Sequence, residues 1–266
     1  MNIKKWHNNY IIDIKQRYNS DSTINNYSRN VYNFLCYFNY YKEPKEIPNI
    51  EIKKYLLTFS TLNTRKQNLC ALRHFYKLTI NMPKKVSKIP YPKKEKKLPK
   101  VIDSEHLKTT INNISNLKHK ALIAIGYSCA LRRSEVINLK MSCINRKRGL
   151  ILIENAKGNK DRYVNLTPQL LKILEEYARK HKPKQYLFNG QNNIMYSETS
   201  YNNVVKKYLG NSYSTHTLRH SGITALHEKG VDIATLAKLS GHNSIKTTQI
   251  YTHVSLRSLQ NLQSLL

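Results

Sequence analysis

The residues best equipped for chemistry in this 266-residue chain crowd into one stretch near its end, residues 216 to 255. His216, Arg219 and His220 fall within about one helical turn, Gly241-His242 follows, and Tyr251 stands nine residues beyond His242. Two imidazoles four residues apart share a helix face and could hold zinc. The stretch lacks the H-E-x-x-H pattern, however, and no carboxylate or cysteine at suggestive spacing offers a third ligand. Ordinary surface or core histidines are the plainer alternative. The interleaved arginine favours another chemistry, because guanidinium and imidazole together grip the oxygens of a phosphodiester.

Composition agrees with a polyanionic partner. The chain holds 45 Lys+Arg against 16 Asp+Glu, a formal net charge of +29. A base composition rich in Lys, Asn, Ile and Tyr codons would add lysines but would not remove acids, so the imbalance points to nucleic acid. The four cysteines, Cys36, Cys70, Cys129 and Cys143, form no C-x-x-C pair, and no cationic-then-apolar leader opens the chain. Secretion and a disulfide framework are therefore not indicated, and a cytoplasmic, nucleoid-associated protein is expected. No run approaches the ~18 apolar residues of a membrane span.

These side chains must be positioned by something larger. Residues 84–100, KKVSKIPYPKKEKKLPK, combine eight Lys with three Pro. Proline removes an amide donor and like charges repel, so the stretch reads as a basic linker running extended between two folded units, residues 1–83 and 101–266. All eight glycines lie at or after Gly126, which favours helices in the first unit. There Ile24, Tyr27, Val31, Phe34, Leu35 and Phe38 recur at steps of three and four behind a capping Ser22. A second helix is predicted over Asn63 to Thr79, with Leu69, Leu72, Phe75 and Tyr76 inward and Arg65, Lys66, Arg73 and Lys77 outward. Those four, with Lys93 and Lys94 of the linker, are the candidate DNA contacts, although an ordinary solvated face would look the same.

In the second unit, Asp103 or Ser104 caps a helix from about Glu105, a second runs from Leu117 to Cys129, and a third starts near Arg133. The periodicity then changes. Leu150–Glu154 and Arg162–Leu166 are short β-prone runs flanking Asn155–Asp161, whose Gly158-Asn159 suits a hairpin turn. Helical spacing returns after Pro168 through Leu170, Leu171, Leu174 and Tyr177. At the end of the chain Leu256, Leu259, Leu262 and Leu265 or Leu266 form an apolar stripe that must be buried, on its own domain or on a neighbour.

The order H-x-x-R-H, Gly-His, then Tyr resembles the C-terminal signature of the tyrosine recombinases, the phage integrase family. Ala130-Leu131-Arg132-Arg133-Ser134-Glu135 with Leu139 resembles that family's first arginine motif, and Ala156-Lys157 through Arg162 its lysine hairpin. With the linker and the helical first unit, the resemblance to the simple Xer-like members spans essentially the whole chain. Ala130 stands where Gly is usual, Cys143 where an Asp is common, and Ser240 where an apolar residue is common.

The resemblance implies a mainly α protein. Its parts would be a helical, SAM-like core-binding domain and a mostly helical α+β catalytic domain with a small antiparallel sheet. It implies that Tyr251 attacks a scissile phosphate to give a 3′-phosphotyrosyl link, so that strands are exchanged and resealed without ATP or metal. Arg132 and Arg219 would hold the non-bridging oxygens. Lys157 would be the general acid; spacing alone leaves Lys160 equally open, and the family hairpin selects Lys157. His216 would accept or steer the tyrosine proton, His242 would donate to the phosphate, His220 would be structural, and Glu135 would be a structural partner of Arg132. The implied partners are double-stranded DNA core sites, three further protomers in a homotetramer on two sites joined by exchange of the C-terminal helix, and an accessory or directionality factor. The rivals are a DNA-binding architectural protein that has lost activity and a monomeric relaxing enzyme of type IB topoisomerase character.

Overall fold

A computed structural model describes residues 1–93, 98–154, 161–191 and 195–252. The chain divides into two compact units, Met1–Lys96 and Lys97–Leu266.

The first unit contains four α-helices: α1 (Ile3–Arg17), α2 (Asp21–Tyr37), α3 (Asn49–Leu57) and α4 (Leu62–Leu78). Their starts follow from short polar side chains that satisfy free amides at helix ends. Asn2 accepts from the Lys5 amide and Thr61 from the Thr64 amide. Helix α2 begins one residue before Ser22, so Ser20 occupies its N-cap and the expected cap lies inside the first turn. The core is aromatic. Phe34 meets Phe38 at a ring separation of 5.1 Å, and Tyr10 meets Phe75 nearly edge-on at 5.5 Å. The hydroxyls of the buried Tyr10 and Tyr76 donate to the carbonyls of Ala71 and Pro44, so neither ring carries an unsatisfied polar tip.

The segment expected to run extended folds back instead. Residues 83–88 form turns, and Val86 and Ile89 are buried in the core of the first unit. Arg73 of α4 donates to the carbonyls of Ser87 and Ile89, and its guanidinium lies 4.1 Å from the centre of the Tyr91 ring. Two apolar residues seated among lysines were enough to dock the first half of this stretch.

The second unit is built on α6 (Leu117–Ser128), whose residues Ala121 to Gly126 are all buried. Around it stand α5 (Ser104–Asn113), α7 (Arg133–Ile137), α8 (Pro168–His181), α9 (Glu198–Leu209), α10 (Thr215–Glu228), α11 (Ile233–Ser240) and α12 (Ile245–Thr248). Asp103 caps α5, accepting from the amides of Glu105 and His106. A three-stranded antiparallel sheet, β1 (Ile144–Asn145), β2 (Leu150–Ile153) and β3 (Arg162–Asn165), runs in sequence order. Opposite Ile153 in its register is Arg162, while Ile151 faces Val164. β1 was not anticipated: two residues are too few to show a period. Helices α6 and α10 cross so closely at Gly222 that a Cβ there would lie 2.2 Å from the Tyr127 carbonyl oxygen. That contact fixes the depth of α10, which carries the polar residues of the site.

Candidate active site

Helix α10 starts at a capping box, Ser214 with Thr217, and carries His216, Arg219 and His220 in its first two turns, the two histidines on one face. Arg219 points inward and is 2% exposed. Its Nη1 donates to the Ala130 carbonyl at 2.7 Å, and Nη2 donates to the Ser240 carbonyl at 2.6 Å and to His242 Nε2 at 3.0 Å. Burial, then the Arg132 cation, lower its pKa to about 10, which still leaves it charged at neutral pH.

Arg132 sits at the N-cap of α7. Its backbone amide donates to Glu135 Oε2 at 2.8 Å, its Nη1 to Glu135 Oε1 at 2.7 Å, and its Nη2 to the Gly241 carbonyl at 2.5 Å. Glu135 is shared. Arg162 of β3 forks onto the same carboxylate, Nη1 to Oε1 at 2.9 Å and Nη2 to Oε2 at 2.8 Å, and Arg219 Nη1 lies 3.9 Å from it. Burial alone would push this carboxyl up, but the bonds from Arg162 and Arg132 outweigh it and hold the pKa at about 2. Three guanidinium groups thus surround one carboxylate, which leaves the site strongly cationic.

Gly241 closes α11 in the left-handed conformation, φ +61. A Cβ there would stand 3.1 Å from both Arg132 Nη1 and Arg162 Nη1, so glycine is required by backbone and by space. The turn aims His242 back at Arg219. Because a guanidinium only donates, His242 Nε2 accepts, and Nδ1 carries the proton toward Thr248 Oγ1 at 2.9 Å. Both ring nitrogens are therefore engaged within the chain, and the donor expected of His242 is turned to Thr248 here.

Tyr251 ends a short 3₁₀ turn, Gln249–Tyr251, and is 2% exposed. Its ring lies in a small apolar cluster with Ala130, Ile223 and Leu236. The hydroxyl meets His220 Nδ1 at 2.6 Å. This differs from the expectation that His216 would hold the tyrosine proton and His220 would be structural. Residue 220, one turn further along α10, is the one level with the 3₁₀ turn, and His216 packs against the His220 ring at 4.4 Å. Burial raises the Tyr251 pKa to about 12, opposed by Arg219. Burial, then His216 and Arg219, lower His220 to about 4, so it is a neutral base at pH 7. Burial, then Arg219, Arg132 and Arg162, also bring His242 to about 4. His216 keeps part of its ring in solvent, yet the surrounding protein, then Arg219 and Arg132, lower it too.

The structure thus gathers Arg132, His216, Arg219, His242 and Tyr251 into one site and adds Glu135, Arg162, His220 and Thr248. Lys157 and Lys160 lie outside the described residues, as do Lys94 and the leucines from Leu256 onward. Of the candidate DNA contacts, Lys66, Lys77 and Lys93 are exposed. Arg65 donates to the Phe59 carbonyl, and Arg73 is committed to residues 87–91. Among the described residues no group of three or more His, Cys, Asp or Glu is placed to hold a metal ion. No described helix is long and apolar enough to cross a membrane.

Two of the three departures from the family pattern, Ala130 and Ser240, find local explanations; nothing in the structure explains Cys143. Ala130 adopts φ +49, a left-handed conformation costing about 1 kcal/mol or more for a residue with a Cβ. Its methyl is buried against Tyr251, which offsets part of that strain, and its carbonyl receives Arg219. Ser240 contributes its carbonyl to Arg219, which a change of side chain does not alter.

Residues 100–257 match the phage integrase family, and the chain belongs to it. A tyrosine recombinase of Pseudothermotoga lettingae is 30% identical over 254 residues, covering 88% of this chain and 88% of its own. The solved structure of XerH site-specific recombinase bound to palindromic difH substrate, a post-cleavage complex, superposes with TM-score 0.72 at 23% identity over 89% of this chain and 78% of that one. A lambda integrase tetramer bound to a Holliday junction superposes with TM-score 0.75 at 15% identity, over 93% and 76%. The enzyme class is a tyrosine site-specific recombinase.

Proposed function

We propose that this chain cuts and rejoins duplex DNA through Tyr251. The tyrosine oxygen attacks the scissile phosphorus, the bond to the 5′-oxygen breaks, and a 3′-phosphotyrosyl ester and a free 5′-hydroxyl result. His220 accepts the phenolic proton through Nδ1, and Lys157 returns a proton to the departing oxygen. Arg132 and Arg219 bind the non-bridging oxygens, whose charge grows in the five-coordinate transition state. His216 stands at the solvent side of His220 and orients it; His242 holds Arg219 in line. The ester conserves the phosphodiester energy, so resealing on a second strand needs no ATP.

The observation that carries this reading is the 2.6 Å contact between Tyr251 and a neutral His220 beside two guanidinium groups. The partner is double-stranded DNA, bound by exposed lysines of α4 and the linker among others. Assembly as a tetramer on two sites, with the C-terminal leucines joining protomers, belongs to the same reading.

Nicked suicide duplexes cut from the DNA flanking this chain's own gene test it. Incubation should leave a protein–DNA adduct that survives SDS and is 3′-linked, absent from Tyr251→Phe. Tight binding without an adduct would favour an architectural role. An adduct persisting in Tyr251→Phe would assign the chemistry to another tyrosine.

A further inference from the structure

Arg162 lies in neither the arginine pair nor the histidine set, yet its side chain ties three parts of the site together. It projects from β3, the strand that leaves the 155–160 segment. Its side chain is 9% exposed. Two of its nitrogens fork onto Glu135 and the third, Nε, donates to the Leu239 carbonyl at 2.7 Å. It also presses on Gly241, within 3.1 Å of where a Cβ would stand. Each of its three nitrogens thus holds something that in turn holds a member of the site. Glu135 fixes the Arg132 fork, and the turn after Leu239 fixes the direction of His242.

We propose that Arg162 is a positioning residue for strand cleavage, pinning the α11–His242 turn and the Glu135–Arg132 pair to β3 so that both move as one body. The inference rests on the recombinase reading for its consequence in catalysis, but its geometry stands apart from it. A lysine could keep the charge and reach either Glu135 or the Leu239 carbonyl, while the rigid fork that joins the two would be lost. Glutamine removes charge and fork together.

Two measurements separate positioning from a general loss of fold. The first is the titration of the His242 imidazole, followed by NMR in the free protein. The groups facing that ring are Arg219, His216 and His220 of α10, Arg132, Arg162, and Tyr251 stacked at 6.4 Å. Arg162→Gln should shift the His242 midpoint upward, because one of three cations holding it down is gone; Arg162→Lys should leave it near its parent position. The second is adduct formation on the nicked flanking duplex at saturating protein. Arg162→Lys should slow it by about 10-fold and Arg162→Gln by about 100-fold, the scale of a small misplacement of reacting groups. The DNA concentration at half-saturation should stay within about threefold, since phosphate contacts elsewhere set it.

An unmoved His242 midpoint in Arg162→Gln, or a parent-like adduct rate in a folded Arg162→Lys, would overturn the proposal. Should Arg162→Gln fail to fold, the lysine variant still decides it. If the parent forms no adduct, the recombinase reading fails on its own, and the His242 titration continues to report whether Arg162 holds that turn.

Discussion

Glu135→Gln is the substitution that most directly weighs the charge balance of the site. The carboxylate is 6% exposed and takes four hydrogen bonds from Arg132 and Arg162, at 2.7 to 2.9 Å. Its pKa of about 2, against an ordinary 4.5, corresponds to about 3 kcal/mol of stability at neutral pH. Glutamine keeps the shape but loses the charge and turns an amide donor toward guanidinium donors. The loss should be about 3–5 kcal/mol, the usual result of stranding buried partners. In a unit of this size that lowers Tm by about 10 °C. The chain supplies its own control, because its single tryptophan, Trp6, is in the first unit. Urea unfolding followed by Trp6 fluorescence should be unchanged, while the loss of helix from the second unit, seen by far-ultraviolet circular dichroism, moves to lower urea. A depressed carboxyl stabilises above pH 4.5 and loses its contribution as pH falls toward 2, so the gap between parent and variant should narrow across that window. A variant within about 1 kcal/mol of the parent at pH 7 would mean that the arginines do not depend on Glu135 and that the balance worked out above is wrong.

Two further outcomes are expected. Gly222→Ala should push α10 away from the Tyr127 carbonyl, costing about 1–3 kcal/mol of overpacking and slowing adduct formation at saturating DNA, because Arg219 moves with the helix; a fully active, parent-stable alanine variant would show that α10 need not sit at this depth. His220 and His242 are held neutral, so the unfolded chain binds more protons between about pH 6.5 and pH 4, and stability should fall as pH drops through that range. Urea titrations should show lower stability at pH 4.5 than at pH 7, by at most about 5 kcal/mol for the pair and less once solvent screens these half-buried rings, and replacing both with Asn should reduce the dependence; a variant that keeps the full difference would place the titration elsewhere.

What could be read without coordinates followed the range of the interactions. The start of α10 was legible because His216, Arg219 and His220 obey a local period. Glu135 was legible as a partner of Arg132, three residues away. Arg162 was not, because its partners lie 27 and 77 residues distant and no period links them. The choice between His216 and His220 as partner of Tyr251 depended on the level at which the 3₁₀ turn meets α10, a property of packing alone. The same holds for residues 84–91, where eight lysines and three prolines across the wider stretch concealed Val86 and Ile89, two side chains whose burial outweighs the repulsion. Helix α1 escaped notice because polar residues fill most of its length, leaving Tyr10 and Ile14 as its only fully buried positions, and the nine residues of α3 are too few to show a clear period.

The proposed reaction requires the site to exchange partners, and the observed bonds show with what. Arg132 and Arg219 now donate to three neutral carbonyls, of Ala130, Ser240 and Gly241. A charged phosphate oxygen is the better acceptor: hydrogen bonds to charged groups contribute about 1.5–3 kcal/mol each, against about 1 for neutral ones. Tyr251 must leave its apolar cluster to reach such a phosphate, and exposing one ring costs about 2–3 kcal/mol. The two magnitudes are close. Because the Ala130 carbonyl belongs both to the arginine shell and to the wall of the tyrosine pocket, drawing Arg219 onto a phosphate loosens the same residue that covers Tyr251. On the proposed reading, bound DNA therefore supplies the free energy that brings the nucleophile out of its apolar cluster.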